Sequence, residues 1–157
     1  MSEPSVVHNT FVIERRLPQS PDRVFAALSD PAMVRRWYAE GDGRSAEAFE
    51  MDFAVFGRQH MGSRMGQDTP FPGALLESDA VFLDITPDRR VVMAQTMSLA
   101  GRRFSASLIT YEVVGSDEGS DLLFTHQGAF FEGSDGPQMR QEGWRHLLDG
   151  LVQTLAG

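Results

Sequence analysis

The sequence predicts an α+β fold: a curved, seven-stranded antiparallel sheet wrapped around a long C-terminal helix, with two short helices after the first strand. Three observations carry this. Between Pro137 and Leu155, the residues Met139, Gly143, Trp144, Leu147, Leu148, Leu151, Val152 and Leu155 recur at three- and four-residue steps, one continuous apolar helix face. From Phe49 to Phe130, segments rich in β-branched and aromatic residues are parted by short turn sequences, as in a meander. Nothing else in the chain reads as a second long helix, so the apolar face must lie on the sheet. That much sheet beneath one helix has to curl, which leaves a cavity between the two.

Residues 1–5 are small and polar with a proline and read as a disordered lead-in, placing the domain at 6–157. In VVHNTFVIERRL, Phe11, Ile13 and Arg15 share one face and Val12, Glu14 and Arg16 the other, which gives the first strand. Ser20 is a good N-cap, Pro21 suits the first helical position, Asp22 favours the helix N-terminus, and Val24, Phe25 and Leu28 form a short helix's apolar stripe. Asp30 and Pro31 then repeat the start signal ahead of Met33, Val34 and Trp37. Because Pro31 disfavours helical geometry at Asp30, the two helices should form a V.

Residues 41–45 read as loop. Phe49, Met51, Phe53 and Val55 alternate with Glu50, Asp52 and Ala54 as a strand with one buried face. Gly57 marks a turn or bulge, and Gln59–Met65 is the returning strand of a hairpin. The run GQDTPFPG over 66–73 reads as an exposed loop at a cavity mouth. Ala74–Ile85, Val91–Leu99, Arg103–Val113 and Leu122–Phe130 are further strands, separated by TPDRR, LAGR and GSDEGS, all with turn chemistry. A Gly/Asp/Ser loop, 131–136, feeds the long helix, whose other side assigns Arg140, Gln141, Arg145, Asp149 and Gln153 to water.

A chain of 157 residues with 41% hydrophobic content has the size of one domain with a substantial core. The formal charge of -8 repels phosphate backbones, and no Lys/Arg run offsets it, so nucleic acid is not expected as a partner. Neither a membrane span nor a signal peptide is visible, and a cytoplasmic location is expected. The absence of cysteine removes disulfides, thiolate nucleophiles and thiolate ligands together. Eight methionines serve either as core filler or as an adaptable binding wall.

Several segments together resemble the START-like, or SRPBCC, superfamily with its helix-grip fold. They are the opening FVIERRLPQSPDRVFAALSDPAMVRRWY, then DFAVFGR, LDITPDRRVVM and LLFTHQGAF, and the closing GWRHLLDGLVQTL. Within that superfamily the sequence is most similar to bacterial relatives of the ATPase activator of the large heat-shock chaperone. The matches run from Val7 to Leu155. The resemblance implies the fold; function is left open, since the superfamily holds lipid carriers, hormone receptors, cyclases and co-chaperone domains. Relatives often carry Arg-Val-Gly-Gly where this chain has Ala54, Val55, Phe56 and Gly57, so no role resting on that arginine is carried over.

Candidate cavity residues follow from strand faces and from the fold that the resemblance implies. His126 shares a face with Phe124 and Leu122; a neutral imidazole there could orient a carbonyl or carboxylate, act as a base, or simply bond a neighbour in the core. Tyr111 could offer a hydroxyl to a ligand or tie it to the backbone. Met93, Gln95 and Met97 would make an adaptable apolar wall with one polar point. Trp37 and Tyr38, with Phe71, are gate candidates; Phe53 and Trp144 complete the lining, Trp144 weighing more towards core.

The four histidines lack paired ligand spacing, Ser78 with Asp79 and Ser116 with Asp117 lack a matching histidine, and no glycine loop makes a nucleotide motif. No metal or cofactor is implied. The leading expectation is a domain that binds a small apolar or aromatic molecule. The alternatives are a cyclase-, dehydratase- or hydrolase-type enzyme using His126 with Tyr111, and a co-chaperone-like interaction domain. A chaperone and a second copy of the chain are thus further candidate partners.

Overall fold

The computed structural model describes residues 3–41 and 45–157, so parts of the expected lead-in and of the loop at 41–45 lie outside the described residues. One antiparallel sheet of seven strands forms in the order β1-β7-β6-β5-β4-β3-β2. Its strands are β1 (Val7–Leu17), β2 (Ala48–Met51), β3 (Arg58–Arg64), β4 (Leu75–Thr86), β5 (Arg90–Leu99), β6 (Arg102–Ser116) and β7 (Gly119–Phe130). Strands two to seven run as a meander, and β1 closes against β7, from Val7 opposite Phe130 to Leu17 opposite Ser120. The register shifts between Phe82 and Asp84 in β4 and between Met97 and Ser98 in β5, and such bulges bend and twist a sheet. Together with α3 (Pro137–Ala156), this is the expected helix-grip arrangement.

The period-two pattern places Phe11 and Ile13 of β1, Leu122, Phe124 and His126 of β7, and Ile109, Tyr111 and Val113 of β6 on the buried face. Trp144, Leu148, Leu151 and Leu155 of α3 pack on them. Removing side chains of this size from water contributes roughly 1.5–3 kcal/mol each before entropy is subtracted. The turn from β6 to β7 is tighter than the sequence suggests, because Ser116 already pairs with Gly119 and both strands run almost to the tip. Gly119 sits at φ 143, and a Cβ there would lie 2.2 Å from the Leu17 carbonyl oxygen.

After β1 come α1 (Pro21–Ser29) and α2 (Pro31–Val34). Asp30 caps α2 by accepting a hydrogen bond from the Ala32 amide, as its position before Pro31 predicts. Ser20 precedes α1, but its hydroxyl bonds the Asp22 carboxylate rather than a helix amide. The second helix does not stop at Val34. It widens into a π-type turn over Arg35–Ala39, in which the Glu40 amide bonds the Arg35 carbonyl. This turn presents Trp37 and Tyr38 together to the core, and the Trp37 indole donates to the Ala27 carbonyl at 2.8 Å.

Two sequence readings are corrected. β2 ends at Met51, and the chain turns over 52–57, with the Phe56 and Gly57 backbone bonded to Phe82. Val55 therefore faces solvent, whereas Phe53 still reaches the core edge against Phe25 and Phe82. On α3, Met139 is 67% exposed and Arg140 is 6% exposed, the reverse of their assignment. Arg140 lies one turn before Trp144 on the same helical stripe, so burial follows once a partner neutralises its charge.

Candidate functional site

An open groove of about 570 Å³ lies between the helix and the sheet. The first turns of α3 form one wall with Met139, Arg140, Gly143, Trp144 and Leu147. Met61 of β3, Leu76 of β4, and Gln95 and Met97 of β5 form the other, and Tyr38 closes the inner end. The sheet contributes these residues because Met61, Ser78 and Met97 stand opposite one another across β3, β4 and β5, as do Gln59, Ala80 and Gln95 one step along. The walls are chiefly apolar, with polar groups at a few points, the composition usual for a small-molecule pocket.

Gly143 is a gap in the helical wall: a Cβ built on it meets nothing within 4 Å. A glycine inside a helix costs roughly 0.5–1 kcal/mol relative to alanine, and here it keeps the groove open over the middle of α3's first half. Tyr38 ties the inner end together. Its hydroxyl lies 2.9 Å from Ser78 Oγ and receives the Gln95 amide at 2.9 Å, so three buried polar side chains satisfy one another beside the apolar walls. Its ring stacks on Trp144 at 5.9 Å, and Trp144 in turn meets Phe124 at 4.4 Å.

Arg140 marks the opposite polar point. Asp135 takes Nε at 2.7 Å and Nη2 at 2.8 Å in a forked pair, and Nη2 also reaches Ser105 Oγ at 2.9 Å. The guanidinium lies over the rings of Phe130 and Phe104, at 5.0 and 5.8 Å. Its Nη1 is buried without a hydrogen-bond partner.

The ten residues picked out from the sequence separate into three groups. Tyr38, Gln95, Met97 and Trp144 line the groove. Trp37, Met93 and Tyr111 border a crevice of about 10 Å³ beneath it, which Tyr38, Gln95 and Trp144 also touch, and Trp37 in addition lines a separate cleft of about 280 Å³ beside the second half of α3. Phe53, Phe124 and His126 line neither. Phe71, the further gate candidate, is exposed on its loop and takes no part in the groove wall.

His126 is fully buried, with its ring stacked on Phe11 at 4.7 Å and facing Phe130 at 6.0 Å, and neither ring nitrogen has a partner. Burial foremost, then the Arg140 charge, lowers its pKa to about 4, with Asp135 opposing. The imidazole is therefore neutral at physiological pH. Burial also raises the Tyr111 hydroxyl well above its usual range, with Tyr38 adding to the shift. Gly128 makes room for the stack, since a Cβ there would fall 2.8 Å from both the His126 and Phe130 rings.

Arg140, Asp135 and Gly143 are site residues that the sequence reading missed or took for surface, loop and packing. Among the described residues, no group of three or more His, Asp or Glu side chains is placed to hold a metal ion. No described helix is long and apolar enough to cross a membrane.

A family model described as activator of Hsp90 ATPase homolog 1-like protein matches residues 18–156. Among solved structures, a protein of Rhizobium loti is similar at 45% identity and a TM-score of 0.83, over 96% of this chain and 99% of that one. A Rhizobium leguminosarum protein is similar at 33% identity with a TM-score of 0.90, covering 97% of each chain. An AHSA1-like protein of Aeromonas hydrophila shares the fold at 18% identity, with a TM-score of 0.69 over 94% of this chain and 92% of that one. No curated protein matches the chain significantly.

Proposed function

Because the chain belongs to the family of activator of Hsp90 ATPase homolog 1-like proteins, whose fold is commonly a ligand-binding one, we propose that it binds a small apolar or aromatic molecule in the groove between α3 and the sheet. The observation that carries this reading is the glycine gap at Gly143 in a chiefly apolar groove. A helix that served only as a core element would gain stability from alanine at this position. The groove's volume of about 570 Å³ falls inside the usual range for small-molecule sites, roughly 300–1,000 Å³.

Met61, Met97 and Met139 along the groove make it adaptable, since an unbranched thioether can repack around differing shapes. His126 lies outside the groove wall, which weighs against a reaction built on it, and binding without turnover is the function the geometry supports best. The test is native mass spectrometry of protein purified from its own host, followed by denaturing extraction. A discrete bound molecule supports the reading. A clean apo mass, with no thermal shift across a panel of lipids and aromatic metabolites, defeats it.

The family match also supports a second reading, an interaction with a chaperone. Stimulation of the cognate chaperone's ATPase by the purified protein is the corresponding assay, and an unchanged rate with no complex on gel filtration removes that reading.

A further inference from the structure

We propose that a second copy of this chain docks on the open edge of β1, the two strands antiparallel about a two-fold axis at Phe11, so that His8 of each copy stands opposite Glu14 of the other.

The two edges of the sheet differ. β2 is short, Ala48–Met51, and the chain turns away directly after it, which blunts that edge. β1 runs for 11 residues, pairs with β7 without a shift of register, and has no strand on its other side. Val7, His8, Asn9, Thr10, Val12 and Glu14 are exposed. From Val7 to Ile13 there is no Asp, Glu, Lys, Arg or Pro, the residues that commonly keep an edge from pairing.

The β6–β7 hairpin determines which backbone groups of β1 point outward. It closes on Ser116 and Gly119 around a two-residue turn, so that pair exchanges its backbone bonds. Alternation is unbroken along β7: odd-numbered residues bond β6, as the Phe131 amide does on the Phe104 carbonyl, and even-numbered residues bond β1. Their partners on β1 are the odd-numbered residues from Val7 to Leu17. The amides and carbonyls of His8, Thr10, Val12 and Glu14 therefore face the free side. In keeping with this, the Glu14 carbonyl is open to Arg15 Nη1 at 2.9 Å.

Charge complementarity selects both the occupant and the register. Centred on Phe11, two β1 strands set the His8 imidazole against the Glu14 carboxylate twice and Thr10 against Val12 twice, with no like charges opposed. A centre at Val12 opposes His8 to Arg16, one at Arg15 opposes that residue to itself, and one at Thr10 leaves Glu14 against Val6. In the favoured register the His8 amide of one copy donates to the Glu14 carbonyl of the other. Arg15 Nη1 gives up that carbonyl, while its Nε and Nη2 keep Asp149. The two-fold axis uses both open β1 edges at once, so the assembly closes as a dimer and does not propagate.

The test is sedimentation equilibrium of the full chain over a range of concentrations, with a reversible monomer–dimer equilibrium expected. Thr10→Pro removes an outward-facing amide at a place where an edge strand tolerates proline, and should weaken the dimer at least about tenfold. Glu14→Lys, which sets two cationic side chains against His8, should weaken it about tenfold, and His8→Glu added to Glu14→Lys should restore it to within about threefold of the wild type. If Thr10→Pro does not fold, amide exchange of the wild-type protein gives the same answer: the His8, Thr10, Val12 and Glu14 amides should slow as concentration rises, while that of Asn9, already bonded to β7, should not. A monomer at every concentration overturns the inference and leaves the edge to a strand of another protein or to none. A dimer indifferent to Thr10→Pro, or a double variant no tighter than Glu14→Lys, overturns it as well, since the copies then meet on another face or in another register.

Discussion

Phe11 and His126 lie face to face across the β1–β7 pair, ring centroids 4.7 Å apart and planes within 8° of parallel. The stack holds a neutral imidazole in place of an aromatic core residue. With the folded pKa at about 4 and an ordinary value of 6.5, the unfolded chain binds the proton more readily between those pH values. Stability contributed by the neutral ring is therefore complete above about pH 6.5 and is lost as pH falls towards 4, on the order of 3 kcal/mol in total. Urea unfolding at stepped pH should show this decline. His126→Leu should flatten it between pH 4 and 6.5 while leaving neutral-pH stability unchanged or higher, since two unpartnered nitrogens are removed.

Gly143→Ala should raise stability by about 0.5–1 kcal/mol, because the helix gains propensity and the new methyl meets open space. Gly143→Phe should fold as well and lose groove binding. Thermal unfolding and calorimetry with 2-acetylnaphthalene separate the two effects; a destabilised alanine variant would mean the gap serves packing.

Tyr38→Phe deletes the hydroxyl that Ser78 and Gln95 share. Leaving both buried groups without it should cost about 1–3 kcal/mol in urea unfolding. The double variant Tyr38→Phe with Ser78→Ala should lose less than the two single losses combined, because one bond is counted in both.

Phe56 holds φ at 66 with its ring 74% exposed at the tip between β2 and β3. A bulky side chain in left-handed geometry costs roughly 1–2 kcal/mol, partly offset in glycine by the entropy it loses on folding. Phe56→Gly should thus stabilise the fold by up to about 1 kcal/mol in chemical denaturation. The family resemblance of the sequence implies glycine at this position, and the strained angle falls there.

The strand and helix order was legible in the sequence because each buried face repeats at its proper period: Phe11 and Ile13, Met93 and Gln95, Trp144 and Leu148. Half-site features were less so. Tyr38, Gln95, Met97 and Trp144 line the groove, but Phe124 and His126 share their strand face without reaching it, because periodicity assigns a face and not a depth along it. Charge assigns Arg140 to water, although its spacing to Trp144 and Leu148 matches the buried stripe. Asp135, the partner that permits burial, sits in a loop whose shape no pattern reveals. Val55 was misplaced for a related reason: alternation continues past Met51, where the chain has already turned.

The pairing of β1 with β7 sets the timetable of folding. Leu17 must meet Ser120 and Val7 must meet Phe130, so β1 is synthesised more than a hundred residues ahead of its partner β7. At typical elongation rates of about 5–20 residues per second, roughly 5–25 s of translation separate the two. Until then neither side of this segment, which bears Phe11 and Ile13, has a partner, and in the finished sheet β1 remains an edge strand, the kind of edge that pairs with the wrong chain. Charges at Glu14, Arg15 and Arg16 in its second half oppose such pairing, and they protect the nascent chain as much as they decorate the finished one.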